Sequence, residues 1–209
     1  MRLLVLLSGG IDSPAAAYMM ASRGAEIFLL HMDARPHGDE RSLEKVREIA
    51  SRLRTVTGQD MPLILAPHGE MQEEMRKQSD RNYQCVLCKR LMLRVAEKVA
   101  LRYGCRGIVT GDSMGQVASQ TLRNITLEGP GLSLPILRPL IGMDKLDIEA
   151  LAKEAGTYEI SIQPEGACAF LPLKPITAAD PAKLETMVST VALDSLAESA
   201  AEAALRIDG

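Results

Sequence analysis

With 209 residues, 46% of them apolar, the chain is long enough to bury one α/β core with a helical appendage and too apolar to be disordered. Two Phe, four Tyr and no Trp exclude an aromatic platform for nucleic acid, so such a ligand would be held through phosphates and arginines. The net charge of −3 conceals a segregation: residues 76–106 hold nine Lys or Arg against two Asp or Glu, whereas residues 178–209 hold two against six.

The chain opens on MRLLVLL, too short for a membrane span and without a signal-peptide cleavage site, which predicts a buried strand over Leu3–Leu7 and a cytoplasmic protein. A glycine turn and a helix from Ser13 to Arg23 follow, then a strand over Glu26–His31. Leu43, Val46, Ile49, Ala50, Leu53 and Val56 recur at helical spacing and predict a second buried helix face. Pro62–Ala66 reads as a strand with its proline at the start, where a missing N–H matters least. A helix over Leu87–Tyr103 turns Leu87, Leu91, Val95 and Val99 inward and lines up Arg90, Arg94, Lys98 and Arg102 at steps of four alongside. Arg106–Thr110 and Leu134–Leu137 read as strands, Asp144 caps a helix through Ala155, and Asp180–Ile207 is Ala-rich and helical. Strands alternating with helices predict a doubly wound, mostly parallel five-stranded α/β sheet over residues 1–177, with a C-terminal helix over 178–209 packed on it.

The first strand ends in Ser8-Gly9-Gly10-Ile11-Asp12-Ser13 and runs directly into a helix. In open parallel sheets ligands bind where strands end in loops. Two glycines let backbone N–H groups approach closely, two serines add hydroxyl donors, and the helix N-terminus adds a positive dipole, so the turn suits an anion. The absence of GxxxxGK[ST] and GxGxxG speaks against a kinase-type phosphate loop and a dinucleotide site. A carboxylate at Asp12 is repulsive among phosphates unless Mg²⁺ bridges them.

SGGIDS resembles the pyrophosphate loop of the PP-loop ATP pyrophosphatases. SGGIDSPAAAYMM (8–20), MLRVAEKVA (92–100), VTGDSMGQVASQTLRN (109–124), LRPLIGMDK (137–145) and GTYEISIQPEGAC (156–168) resemble, in order, successive blocks of the tRNA 4-thiouridine synthetase family. The resemblance implies the adenine nucleotide alpha hydrolase-like fold, with ATP and Mg²⁺ held by Ser8, Gly9, Gly10, Asp12 and Ser13. It implies that His31 and Met32 border the adenine, that Gly111, Ser113 and Gln116 line the nucleotide pocket, and that Lys145 neutralises phosphate charge during adenylation. Cys168 stands where the family places its sulfur-handling cysteine. Bacterial members begin with a ferredoxin-like segment and a THUMP RNA-binding domain, and many end in a rhodanese domain. Here the loop starts at residue 8, so the expectation is a stand-alone form lacking both.

Of Cys85, Cys88, Cys105 and Cys168, the Cys85-x-x-Cys88 pair lies at a helix start, where the dipole favours the thiolate. Such a pair is a redox couple, half of a zinc site, or part of an iron–sulfur site. With Cys168 as the third ligand, a [4Fe–4S] cluster would keep one iron without protein ligation, open to hydrosulfide. A redox pair or persulfide carrier, and zinc or no metal, stay open beside it. Cys105 reads as a small buried hydrophobe, and His31, His37 and His68 form no ligand spacing.

The resulting expectation is an ATP-dependent tRNA sulfurtransferase that adenylates a uridine carbonyl oxygen, at tRNA position 8 in the family, and replaces it with sulfur to give 4-thiouridine. Its partners would be tRNA, bound in part by the basic block, and a sulfur donor, either sulfide or a persulfide carrier. A separate RNA-binding protein and a second copy of the chain are admitted, and no membrane partner is. The rivals are a PP-loop amide-forming ligase, which has no use for the cysteines, and a nucleotide-binding module that does not release pyrophosphate.

Overall fold

A computed structural model describes residues 1–114, 120–164, 166 and 168–207. In chain order the elements are β1 (Arg2–Leu6), α1 (Asp12–Ser22), β2 (Glu26–Asp33), α2 (Glu40–Thr57), β3 (Leu63–Pro67), α3 (Gly69–Gln78), α4 (Gln84–Arg102), β4 (Ile108–Val109), α5 (Leu122–Glu128), β5 (Ile136–Leu137), α6 (Lys145–Glu154), α7 (Tyr158–Ser161), α8 (Pro181–Thr190), α9 (Leu193–Glu202) and β6 (Leu205–Arg206).

Strand alternation sorts the core into two layers. Leu4 and Leu6 of β1 face one side with α4, α8 and α9, whereas Leu3, Val5 and Leu7 face the other with α1, α2 and α6. A central parallel strand is buried on both faces, which is why β1 reads as one unbroken apolar run. On α2, Asp39 accepts from the Arg41 N–H at the start and Gly58 (φ 68°) ends the helix. Leu43, Val46, Ile49, Ala50 and Leu53 are buried as expected, but Val56, in the last turn, is 37% exposed.

The sheet order is β5-β4-β1-β2-β3-β6, with five parallel strands and β6 antiparallel on β3. The expected five strands are present, and the sixth is a difference. The expected single C-terminal helix is instead two helices and a strand. Ala192, in the left-handed region at φ 49°, breaks α8 from α9, and β6 covers the edge that β3 would otherwise expose. From β1 the chain winds outward to β3, then returns to the other side for β4 and β5. Strand order therefore reverses between β1 and β4, where a crevice opens beyond their C-terminal ends.

The basic stripe of α4 has a different fate from the one its sequence suggests. Leu87, Leu91, Val95 and Val99 are fully buried. Beside them Arg90 lies 2.8 Å from Glu185 of α8, Arg94 pairs with Asp194 and Lys98 with Glu198 of α9, and Arg102 donates to the Ala204 carbonyl at 3.3 Å. The acidic C-terminal segment is the counter-charge of the basic block, so this stripe is not a free RNA contact. Among the described residues no helix is long and apolar enough to cross a membrane.

Candidate active site

The turn after β1 is built as an anion cradle. Ser8 N donates to Ser13 Oγ at 2.8 Å, the two hydroxyls lie 3.0 Å apart, and Ser161 Oγ donates to the Gly10 carbonyl at 3.2 Å, pinning the loop from outside. The position before α1 is Ile11, whose side chain caps nothing, so no side-chain acceptor from that position occupies the first N–H groups of the helix. Gly111, at the end of β4, packs against this loop: a Cβ there would stand 2.6 Å from Ser13 N and 2.7 Å from Ser13 Cα. Only glycine lets the two loops of the switch point approach so closely.

Beyond the loop lies a cavity of about 320 Å³ lined by Ser8, Asp12, Ser13, His31, Met32 and Gly111 among others. His31 is buried and held by its Nδ1, 2.9 Å from the Leu7 carbonyl. Lys145, the first residue of α6, reaches Asp12 Oδ1 at 2.9 Å. Not every expected residue reaches the lining. Gly9 is buried outside it, and Ser113 is fully buried with its hydroxyl unpartnered among the described residues. Gln116 lies outside the described residues.

Three charged residues of the far wall, Lys89, Asp112 and Glu128, and Arg138 paired behind them, are not singled out by the sequence. Asp112, 3% exposed, pairs with Lys89, accepts from Arg138 Nε at 3.2 Å and from Thr110 Oγ1 at 2.7 Å; Arg138 also pairs with buried Glu128 at 3.2 Å. Burial alone would raise the Asp112 carboxyl, but Lys89, Thr110 and Arg138 outweigh it and hold it below the ordinary aspartate range. For Glu128 burial wins and the carboxyl is raised. Asp112 and Arg138 stand inside the quoted blocks VTGDSMGQVASQTLRN and LRPLIGMDK, so a signal was available for them. Lys89 and Glu128 had none.

A second cavity, of about 250 Å³, shares His31, Met32 and Met92 with the first and is lined by Cys88, Cys168, His68 and Gln72. Cys85 and Cys88 sit in the first two turns of α4, and exposed Cys168 lies close enough for its charge to raise both thiols. The expected thiolate at the helix start is not what the surroundings favour. Burial dominates, pushing the Cys88 thiol up to about 12 and Cys85 up as well, against the weaker pull of Lys89. Buried His68, lowered to about 4 by burial, places Nε2 3.1 Å from Cys88 Sγ, and Gln72 Nε2 donates to the same sulfur at 3.1 Å. Cys105 is buried, its thiol pushed up to about 11 by burial, as befits a small hydrophobe. Among the described residues no three His, Cys, Asp or Glu side chains are grouped tightly enough for a single metal ion. A cubane spreads its ligating sulfurs over several irons and sets a looser requirement.

The sequence profile of the thiamine biosynthesis protein (ThiI) family matches residues 1–193. The chain belongs to the ThiI family. Probable tRNA sulfurtransferases of Methanothermobacter thermautotrophicus and Methanocaldococcus jannaschii are 46% and 43% identical to it, over 86% and 92% of this chain and 46% and 50% of their own lengths. A crystal structure of a 4-thiouridine synthetase in complex with RNA and with bound ATP superposes with a TM-score of 0.90 at 37% identity, over 99% of this chain and 55% of that one. The chain thus spans about half the length of the curated relatives it matches. An NMN synthetase from Francisella tularensis (TM-score 0.58, 15% identity) shares the fold alone.

Proposed function

We propose that this ThiI-family chain binds ATP·Mg²⁺ on the Ser8–Ser13 loop, adenylates the 4-carbonyl oxygen of a tRNA uridine, at position 8 as in the family, and exchanges that oxygen for sulfur in the cytoplasm. The uridine oxygen attacks the α-phosphorus and the bond to pyrophosphate breaks. A sulfur nucleophile then attacks the carbon, the C–O bond breaks, and AMP leaves with the oxygen. The observation that carries this reading is the shared wall. The anion-cradling cavity and the cysteine cavity meet at His31, Met32 and Met92, so a base reaching from one to the other passes both reagents.

Ser8, Gly9, Gly10 and Ser13 would hold the phosphates, Asp12 would hold Mg²⁺, and Lys145, beside Asp12, would neutralise the charge developing at phosphorus. His31 and Met32 would border the adenine. Gly111 keeps the loops in contact, and Ser113 and Gln116 would complete the pocket. The donor set suits an iron–sulfur cluster. Three soft sulfurs share one end of the sheet, and Cys88 Sγ has two side-chain nitrogens at 3.1 Å, the kind of hydrogen bonding that tunes cluster thiolates. When bound to Cys85, Cys88 and Cys168, a [4Fe–4S] cluster would supply one iron open to hydrosulfide. tRNA and a sulfur donor are the partners this reading requires.

Anaerobic purification with iron and sulfide analysis, followed by turnover with ATP, sulfide and tRNA, tests the reading. We expect AMP, pyrophosphate and 4-thiouridine in equal amounts. Cys85→Ala, Cys88→Ala or Cys168→Ala should lose iron and thiolation together while ATP binding survives, and Cys105→Ala should lose neither. Full thiolation by iron-free protein supplied with a persulfide donor would replace the cluster with a persulfide on Cys168, its outer sulfur passed from the donor, whose thiol is the leaving group. No pyrophosphate release with tRNA would remove adenylation itself.

A further inference from the structure

A third hollow, of about 310 Å³, lies against the cysteine cavity, the two sharing Ala169 and Phe170. Its far walls are Arg76, Arg81, Asn82, Leu171, Pro172 and Leu173. Phe170 is buried as the partition: His37 meets its ring edge-on at 5.1 Å between centroids, and the Arg76 guanidinium lies 5.9 Å over the same ring. Leu171 is 61% exposed and Leu173 wholly exposed, an apolar step beside two guanidinium groups. The nearby carboxylates are already engaged, Glu73 by Lys77 and Asp80 by Lys183, and among the described residues no carboxylate pairs with Arg76 or Arg81. This distinguishes them from the stripe on α4, whose cations are paired within the chain.

Chemistry on a base inside a folded RNA requires that base to leave its stack, and the enzyme then holds the nucleotides on either side of it. We infer that this hollow seats the nucleotide flanking the target uridine, its phosphate on Arg76 and Arg81 and its base on Leu171, Pro172 and Leu173. The inference rests on the RNA-thiolating reading above. An arginine fork matches a phosphate in geometry as well as charge. A hollow of this size takes one nucleotide, whereas a stable protein partner needs on the order of 1,000 Å² of contact. The position follows from the chain: Cys168 opens the segment that ends at Leu173, so a base at the sulfur and its neighbour in the hollow lie one residue loop apart.

The test is the affinity of the whole chain for a tRNA transcript across a series of KCl concentrations, with the thermal transition of each variant recorded. Each phosphate contact contributes roughly 0.7–0.9 to the slope of log affinity against log salt. R76Q/R81Q should therefore flatten it by roughly 1.5, and L171S/L173S should weaken binding roughly fivefold with the slope kept. Lys98→Gln, on the paired stripe, should change neither. If the unaltered chain binds and thiolates tRNA but R76Q/R81Q keeps its slope, this inference is overturned and the function stands. If R76Q/R81Q instead loses turnover with a protein persulfide donor while its RNA slope holds, the hollow belongs to that donor and the RNA assignment is overturned. A chain that neither binds tRNA nor thiolates it overturns the function and this site with it.

Discussion

Helix α4 carries two polar regions that end in different states. Over its later turns Arg90, Arg94 and Lys98 meet Glu185, Asp194 and Glu198, so each cation is matched within the chain. In its first turns Cys88 and Lys89 face cavities, and the groups around Cys88 keep unused valence: His68 Nδ1 and Gln72 Oε1 are buried without a hydrogen-bond partner among the described residues. Buried polar atoms are ordinarily satisfied. Where charge is matched inside the fold it belongs to the architecture, and where buried polar atoms stay unmatched beside a cavity they await a ligand. Net charge along a sequence does not separate these cases.

The largest effect should come from the cavity that Lys89, in those first turns, shares with the Ser8–Ser13 loop. Asp12→Ala removes the loop carboxylate and the partner that holds Lys145, with little packing disturbed because Asp12 is only partly buried. Pyrophosphate release should fall on the order of 100- to 1,000-fold, as when one preorganised electrostatic group is lost from a transition state, with the thermal transition unmoved. Normal turnover in this variant would dissolve the contrast between the two regions, since the loop would then be as inert as the stripe.

Asp112→Asn probes the wall between them and should act chiefly on stability. Asp112 is the shared anion of Lys89 and Arg138, and breaking a buried charged cluster costs about 3 kcal/mol. Denaturant titration should register that loss at neutral pH. Because the Asp112 carboxyl is depressed in the fold, its contribution is present above the unfolded value near 3.8 and disappears as pH falls through the folded value. Glu128, raised by burial, acts oppositely: its charge disfavours the fold at neutral pH, and that penalty is relieved on acidification. The variant should therefore lose the part of acid destabilisation that Asp112 supplies. A parallel acid limb in both proteins would show that Asp112 is not the group holding Lys89 and Arg138.

What could be read in advance follows from how local each signal is. The unbroken run of β1, the periodicity of α2 and the inward face of α4 are decided by neighbours along the chain, and they lie where periodicity places them. The Ser8–Ser13 loop is likewise one contiguous segment. The partners of α4 are not local: Arg94 and Lys98 each meet a carboxylate 100 residues away, so the basic block read as a ligand surface and its counter-charges as a separate tail. The break at Ala192 has no glycine or proline to announce it, and β6 is two residues that pair because β3 leaves an edge. His68 and Gln72 escaped because their meaning depends on Cys88, reached across α3 and α4. Thiol state is hidden for a related reason: the helix start favours a thiolate, but the burial that overrides it arises only on packing.

The smallest effect should come from the matched end, and it is the most direct check on the contrast. Lys98 and Glu198 are 33% and 56% exposed, so solvent screens the pair and it stabilises the fold by about 0.5 kcal/mol. Lys98→Gln should shift a urea midpoint slightly, Glu198→Gln should do the same, and the double variant should lose little more than either alone, since the second substitution removes a partner already missing. Raising the salt concentration should shrink all three differences together. Turnover should stay at the level of the unaltered chain, because neither side chain lines the cavities. If Lys98→Gln leaves stability untouched yet lowers tRNA affinity, Lys98 exchanges Glu198 for a phosphate when RNA arrives, and the C-terminal helices become a competitor for the nucleic acid rather than a fixed part of the fold.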